Sequence, residues 1–208
     1  GVTAMLEERR EAFRGWETAD SIVVNPHKWL FVPFDLSAFY CRRMDVVREA
    51  FALVPEYLRT AEEARNLMDT GIQLGRRFRA LKLWMVLRHF GAAEIRGVYR
   101  EHMRLARLFA EWVDADDRFE RLAPVPFSVV CFRVRAQGGL EAAALDALNQ
   151  RLLDAVNASG EVFLSHTRLR GALALRLAIG HLRTSEAHVR RAWELLTAET
   201  AALLAHGT

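Results

Sequence analysis

A β-branched run, Ser21-Ile22-Val23-Val24, leads into Asn25-Pro26-His27-Lys28-Trp29, and this passage constrains the chain more than any other. The run reads as a buried strand. Pro26 fixes its own φ and biases Asn25 away from helix, so the chain must turn directly after the strand. That turn carries a lysine between an imidazole and an indole. A lysine is a Schiff-base nucleophile only when neutral, and desolvation favours the neutral form. Of the 29 Lys+Arg residues only Lys28 and Lys82 are lysines, so a chain that otherwise uses arginine has placed one lysine here. A bare His-Lys pair favours a plain turn whose lysine reaches out to solvent. The longer string, with the matches below, reverses that preference.

Along the chain, residues 4–15 carry a helix-like mixture of apolar and charged positions, with Gly15 as C-cap. Leu30 to Val32 and Leu36 to Cys41 read as extended pieces around Pro33-Phe34-Asp35, and residues 44–52 as a short helix. From Leu53 to Gln73 the periodicity fails, giving a loop of about twenty residues, a length typical of functional lids or disorder. Leu74-Gly75-Arg76-Arg77 opens a helix to Phe90 that is apolar around most of its circumference, so it should be buried or lie at a subunit interface. Gly91 ends it, and a second helix runs from about Ala92 to Asp114. Beyond Pro126 follow a strand (Phe127 to Val134), a helix (Leu140 to Ala158), strands at Val162 to Ser165 and Leu173 to Ile179, and a last helix capped by Thr184. That order describes a small α+β unit.

At 208 residues, 51% hydrophobic and 26% charged, the chain suits one large globular domain or two small ones. The net charge of +3 hides arginines interspersed with 26 acids, so no basic groove for nucleic acid emerges. Cys41 and Cys131 lie far apart without metal-ligand spacing, which fits a reducing compartment. The histidines form no metal-binding pattern, so no metal is expected. With no membrane-length apolar run and no signal-peptide organisation, the expectation is a soluble, cytoplasmic protein without membrane partners.

Ala19-Asp20-Ser21 followed by Asn25-Pro26-His27-Lys28-Trp29 resembles the cofactor-lysine signature of the pyridoxal-phosphate-dependent group II amino-acid decarboxylases, which include the aromatic-L-amino-acid decarboxylases. Leu74-Gly75-Arg76-Arg77-Phe78-Arg79-Ala80-Leu81-Lys82-Leu83-Trp84 is a second match. The resemblance covers essentially the whole chain, but as the C-terminal part of a longer polypeptide. It therefore implies a fragment, inactive alone, lacking the aspartate that pairs with the pyridine nitrogen and the aromatic residue that stacks on the ring.

The implied fold is α/β, the C-terminal part of a type I (aspartate aminotransferase-like) pyridoxal-phosphate enzyme. Residues 1–90 would end the large domain, and 91–208 would form the small α+β domain. The implied activity is decarboxylation of an aromatic L-amino acid to the amine and CO2 by a homodimer with shared active sites. Lys28 would hold pyridoxal 5'-phosphate, Asn25 would contribute to its phosphate site, and His27 would lie against it. Taken singly, Asn25 reads rather as a turn former and His27 as a satisfied core histidine; the functional readings gain weight only with Lys28 as the cofactor lysine. Tyr57 follows Lys28 at the spacing of the family's loop tyrosine, which protonates the substrate carbon after CO2 leaves. Relatives with phenylalanine there tend toward aldehyde formation. Leu74 and Gly75 would complete the neighbouring subunit's site, although Gly75 also fits a plain helix start. Arg176, a charge in an apolar strand, needs a partner, either a substrate carboxylate or a structural ion pair. Lys82 lies mid-helix and is a poor rival for the cofactor. Two other outcomes stay open: a same-fold enzyme acting as an aldehyde synthase or on acidic amino acids, and a non-catalytic fragment.

Overall fold

A computed structural model of the protein describes residues 1–52, 67–135 and 140–205, and the chain divides into two compact units, Gly1–Arg96 and Gly97–Thr208. Among the described residues no helix is long and apolar enough to cross a membrane.

In the first unit, β1 (Ser21–Val24) pairs antiparallel with β2 (Ala38–Cys41), Ser21 opposite Cys41 and Val24 opposite Ala38. The bend after β1 is one turn of helix, α1 (Pro26–Trp29), with Pro26 at the first helical position, where its missing N–H goes unused. Leu30, Val32 and Leu36 are buried, and the Val32 N–H donates to the Pro26 carbonyl at 3.3 Å, which ties the connection back onto the turn. Leu30 to Val32 is therefore not extended: Phe31 has a φ of 59°. Nor is β1 buried. Val23 is 58% exposed, because two strands alone cannot cover both faces of their sheet.

Residues 44–52 contain the expected short helix, α2 (Met44–Phe51). The N-terminal stretch instead forms 3-10 turns at Val2–Met5, Glu7–Phe13 and Trp16–Thr18, where an α-helix was expected over 4–15. No side chain caps these turns and Glu7–Phe13 buries nothing, so there is no packed face to extend them. Helix α3 (Arg79–Ala115) is two helices joined at Gly91, whose φ of 72° and ψ of 161° suit glycine alone. It starts at Arg79, five residues later than the sequence pattern predicts. Its first stretch is not buried either: Leu81, Trp84, Met85 and Leu87 are exposed, since the described residues offer this face no apolar cover.

The second unit holds β3 (Phe119–Arg121), β4 (Val129–Val134), β5 (Ser165–Leu169) and β6 (Ala172–Ala178), with helices α4 (Ala142–Ala158) and α5 (Glu186–Ala205). The sheet order is β3-β4-β6-β5, antiparallel throughout. Alternation along β4 sends Val130, Phe132 and Val134 into a core completed by Phe109, Leu152, Val156, Val189 and Leu196. Phe109 meets Phe132 edge-on at 5.2 Å and Trp193 at 5.7 Å.

Two sequence expectations shift here. The strand expected at 162–165 begins only at Ser165, because Arg170 and Gly171, with φ of 51° and 86°, form a two-residue hairpin loop that fixes Leu169 opposite Ala172. The α5 cap is Ser185 rather than Thr184. Its N–H and Oγ both meet His188 Nδ1, at 3.1 and 2.8 Å, so the third helical side chain reaches back to the cap as in one half of a capping box, while the His188 N–H donates to the Ser185 carbonyl at 3.1 Å.

Helix α4 fastens the sheet through polar side chains. Asn149 is fully buried, and its Oδ1 accepts from the Val134 N–H at 2.8 Å while Nδ2 donates to the Leu145 carbonyl at 2.9 Å. Asp146 Oδ1 accepts from the Leu173 N–H at 2.9 Å, and Asn157 Oδ1 from the Leu164 N–H at 2.7 Å. Asn149→Leu keeps the branched heavy-atom outline and removes the hydrogen bonds, so it should destabilise by about 1–3 kcal/mol. Thermal unfolding together with faster exchange of the Val134 amide checks this; unchanged exchange would contradict it.

His102 is buried, and its Nε2 meets the His181 carbonyl oxygen at 3.2 Å. Burial lowers its pKa, an effect opposed by the His181 carbonyl and by Glu101. The unfolded chain thus takes up a proton, near the ordinary value of 6.5, that the folded one resists. This contribution to stability is present above that value and is lost as the pH falls below it. Between about pH 7.5 and about pH 5.5 the wild type should lose more thermal stability than His102→Gln. Equal losses would show that His102 does not carry the effect.

Candidate active site

The turn that sequence reasoning singled out gathers Asn25, His27 and Lys28 on α1 and its N-terminal flank. Lys28 is exposed, not enclosed between imidazole and indole, and its amine makes no hydrogen bond or ion pair among the described residues. The burial expected around it does not come from this chain's described residues. Lys82 differs: its Nζ donates to the Pro33 carbonyl at 2.7 Å. Of the two lysines, one is committed to the backbone and one is open to react.

His27 is held from the connection between α1 and β2. Its Nδ1 meets the Leu36 carbonyl oxygen at 2.6 Å and the Leu36 N–H at 3.1 Å, donating to the first in one tautomer or accepting from the second in the other. Phe34 packs edge-on against the imidazole at 5.1 Å. That connection is itself pinned. Arg79 donates through Nε and Nη2 to the two Asp35 carboxylate oxygens at 3.2 and 3.1 Å, while Lys82 holds Pro33 one turn further along α3. The Arg79 guanidinium keeps the Asp35 carboxyl below the usual carboxylate range. Sequence reasoning saw Pro33-Phe34-Asp35 only as a boundary. The available signal was the three-residue spacing of Arg79 and Lys82, which puts both on one helical face.

Asn25 does not cap α1 with its side chain; its Oδ1 accepts from the Ser37 hydroxyl at 2.6 Å. Ser37 also borders a cleft of about 590 Å³ with Phe39, Met44, Arg48, Leu67, Thr70 and Arg76. Leu74 and Gly75 line a second cleft of about 610 Å³ together with Phe34, Asp35, Arg77 and Arg79. Gly75 is not at a helix start, because α3 begins four residues later, and a Cβ there would meet nothing within 4 Å.

Tyr57 lies outside the described residues. Arg176 sits half-buried in β6, opposite Cys131 of β4 and Ser165 of β5. It makes no ion pair among the described residues, so the structural partner considered for it is not found there.

The donor set of the turn suits a phosphorylated aldehyde cofactor. A free primary amine can condense with the aldehyde, and an amide and an imidazole stand beside it. Comparison with known proteins agrees. Residues 1–135 match the model of the pyridoxal-dependent decarboxylase conserved domain. The chain is 41% identical to a phenylacetaldehyde synthase of Arabidopsis thaliana, over 98% of this chain and 42% of that protein. It is 36% identical to a tryptophan decarboxylase of Camptotheca acuminata, with the same coverage of each. It superimposes on a crystal structure of Oryza sativa TDC with PLP and tryptamine with a TM-score of 0.87 and 37% identity, covering 94% of this chain and 41% of that one. Over that stretch it shares the α/β fold of the solved decarboxylase. The chain thus spans about two fifths of the length of these relatives. With the lysine turn and the family model in agreement over its first two thirds, the chain belongs to the pyridoxal-dependent decarboxylase family.

Proposed function

We propose that the protein carrying this chain decarboxylates an aromatic L-amino acid to the amine and CO2 with pyridoxal 5'-phosphate. The observation that carries this reading is the uncommitted amine of Lys28 on the Asn25-to-Trp29 turn. Relatives named as tryptophan and tyrosine decarboxylases support the aromatic substrate class. When bound, the cofactor supplies an electron-accepting ring for the bond to the departing carboxylate.

The chain's own residues would do the rest. Lys28 holds the cofactor covalently and Asn25 offers its amide to the phosphate. His27, fixed by Leu36 and Phe34, packs against the ring. Tyr57 delivers a proton to the substrate Cα after CO2 departs, and Arg176 is the candidate cation for the substrate carboxylate. Residues 1–90 close the large domain, and 91–208 form the small one. Leu74 and Gly75 complete the site of a second subunit in a homodimer, a reading supported by the exposed apolar face of α3. Free Cys41 and Cys131 accord with a cytoplasmic setting.

A second reading is favoured by the phenylacetaldehyde synthase at 41% identity. In that outcome O2 and water convert the amino acid to aldehyde, CO2, ammonia and hydrogen peroxide. The test is product analysis of the full-length protein with phenylalanine, tyrosine and tryptophan. Amine matching CO2, without peroxide, supports decarboxylation. Peroxide matching CO2 replaces it with the aldehyde outcome, and no CO2 from any of the three overturns both.

A further inference from the structure

The Asn25–Ser37 contact settles more than a hydrogen bond. A carboxamide has an accepting end and a donating end, and they face opposite ways. Ser37 Oγ lies 2.6 Å from Asn25 Oδ1, and an amide oxygen only accepts, so the hydroxyl must be the donor. This turns Nδ2, with both its hydrogens, away from Ser37, and among the described residues Nδ2 has no partner. The half-buried Asn25 therefore presents an unused donor pair from the residue directly preceding α1. Were the amide reversed, an oxygen lone pair would face the same space and repel an anion.

Ser37 comes from the far end of the connection, one residue before β2. Its reach back to Asn25 is fixed by the buried Leu36 beside it and by the pairing of Val24 with Ala38, which brings both ends of the connection together. The hydroxyl is thus delivered by the sheet rather than by the turn it serves.

We propose that Ser37 is a positioning residue: by donating to Asn25 Oδ1 it orients the carboxamide so that Nδ2 donates to the phosphomonoester of the bound cofactor. This rests on the reading of Lys28 as the cofactor lysine. Ser37 acts through Asn25 and touches neither substrate nor cofactor in this role.

The experiment titrates full-length apoprotein with pyridoxal 5'-phosphate and with pyridoxal, which lacks the phosphate, following absorbance. Ser37→Ala should weaken the phosphorylated ligand by about three- to tenfold, the effect of one neutral hydrogen bond, and leave pyridoxal unchanged. Ser37→Thr, which keeps the hydroxyl, should restore the affinity. In an Asn25→Ala background, Ser37→Ala should have no further effect, since the group it orients is gone. Unaltered affinity in Ser37→Ala, equal losses for both ligands, or a loss that persists in the Asn25→Ala background would each overturn the proposal. Failure of the wild type to form a borohydride-reducible link at Lys28 would instead overturn the reading on which it rests.

Discussion

Lys28→Ala in the full-length protein should abolish covalent capture of pyridoxal 5'-phosphate and, with it, turnover. The two lysines of this chain are chemically alike and structurally opposite. Lys82 Nζ is spent on the Pro33 carbonyl at 2.7 Å, whereas the Lys28 amine has no partner among the described residues. An amine must surrender its proton and its hydrogen bonds to attack a carbonyl, so the uncommitted one is the competent nucleophile. Borohydride reduction followed by peptide mapping should place the label on the peptide containing Lys28. Lys82→Ala should keep that label while loosening the Pro33-to-Asp35 segment that supports His27. A label on Lys82, or normal turnover in Lys28→Ala, would remove the central residue of the proposed site.

The second large effect is expected at Tyr57. Once CO2 has left, the substrate Cα needs a proton before oxygen reaches it, and a phenol is a suitable donor. Tyr57→Phe deletes one oxygen atom and keeps the ring. Positioned acids contribute roughly 10²–10⁴ in rate, so amine formation should slow by that order and oxidation should compete. The measurement is the ratio of amine to aldehyde under air and under nitrogen for both proteins. In air the variant should shift toward aldehyde, ammonia and peroxide, and the shift should vanish under nitrogen. Amine formation at the wild-type rate would reduce Tyr57 to an anchoring aromatic.

What the sequence disclosed was chiefly local. The Ser21-to-Trp29 passage announced a strand, a turn and a lysine, because β-branching and a proline act over a few residues. Gly91 was recognisable as a break since its backbone conformation excludes other residues. Contacts between distant segments were not legible. The ties of Ser37 to Asn25 and of Arg79 to Asp35 span 12 and 44 positions; the spacing of Arg79 and Lys82 shows a shared helical face, but no pattern names the partners across those distances. The start of β5 was misplaced for a related reason. Arg170-Gly171 sets the register, and a hydrophobic run such as Val162-Phe163-Leu164 outweighs a two-residue loop in any periodicity count. The exposed face of α3 shows the limit of amphipathic reasoning: the pattern tells that a face wants cover, not what supplies it.

Asp146, Asn149 and Asn157 make α4 something other than a greasy lid. Each reaches a main-chain N–H at a different place around the sheet: Leu173 in β6, Val134 at the end of β4, and Leu164 just ahead of β5. A purely apolar helix would accept a sheet slipped by two residues almost as readily as the correct one, because the same faces would still be buried. Here a slip strands a carboxylate and two amides against the wrong backbone atoms, one of those amides in a fully enclosed position. The helix therefore proofreads the sheet. Chimeras that exchange α4 with an apolar helix of equal length should still collapse, but into a mixture of strand alignments.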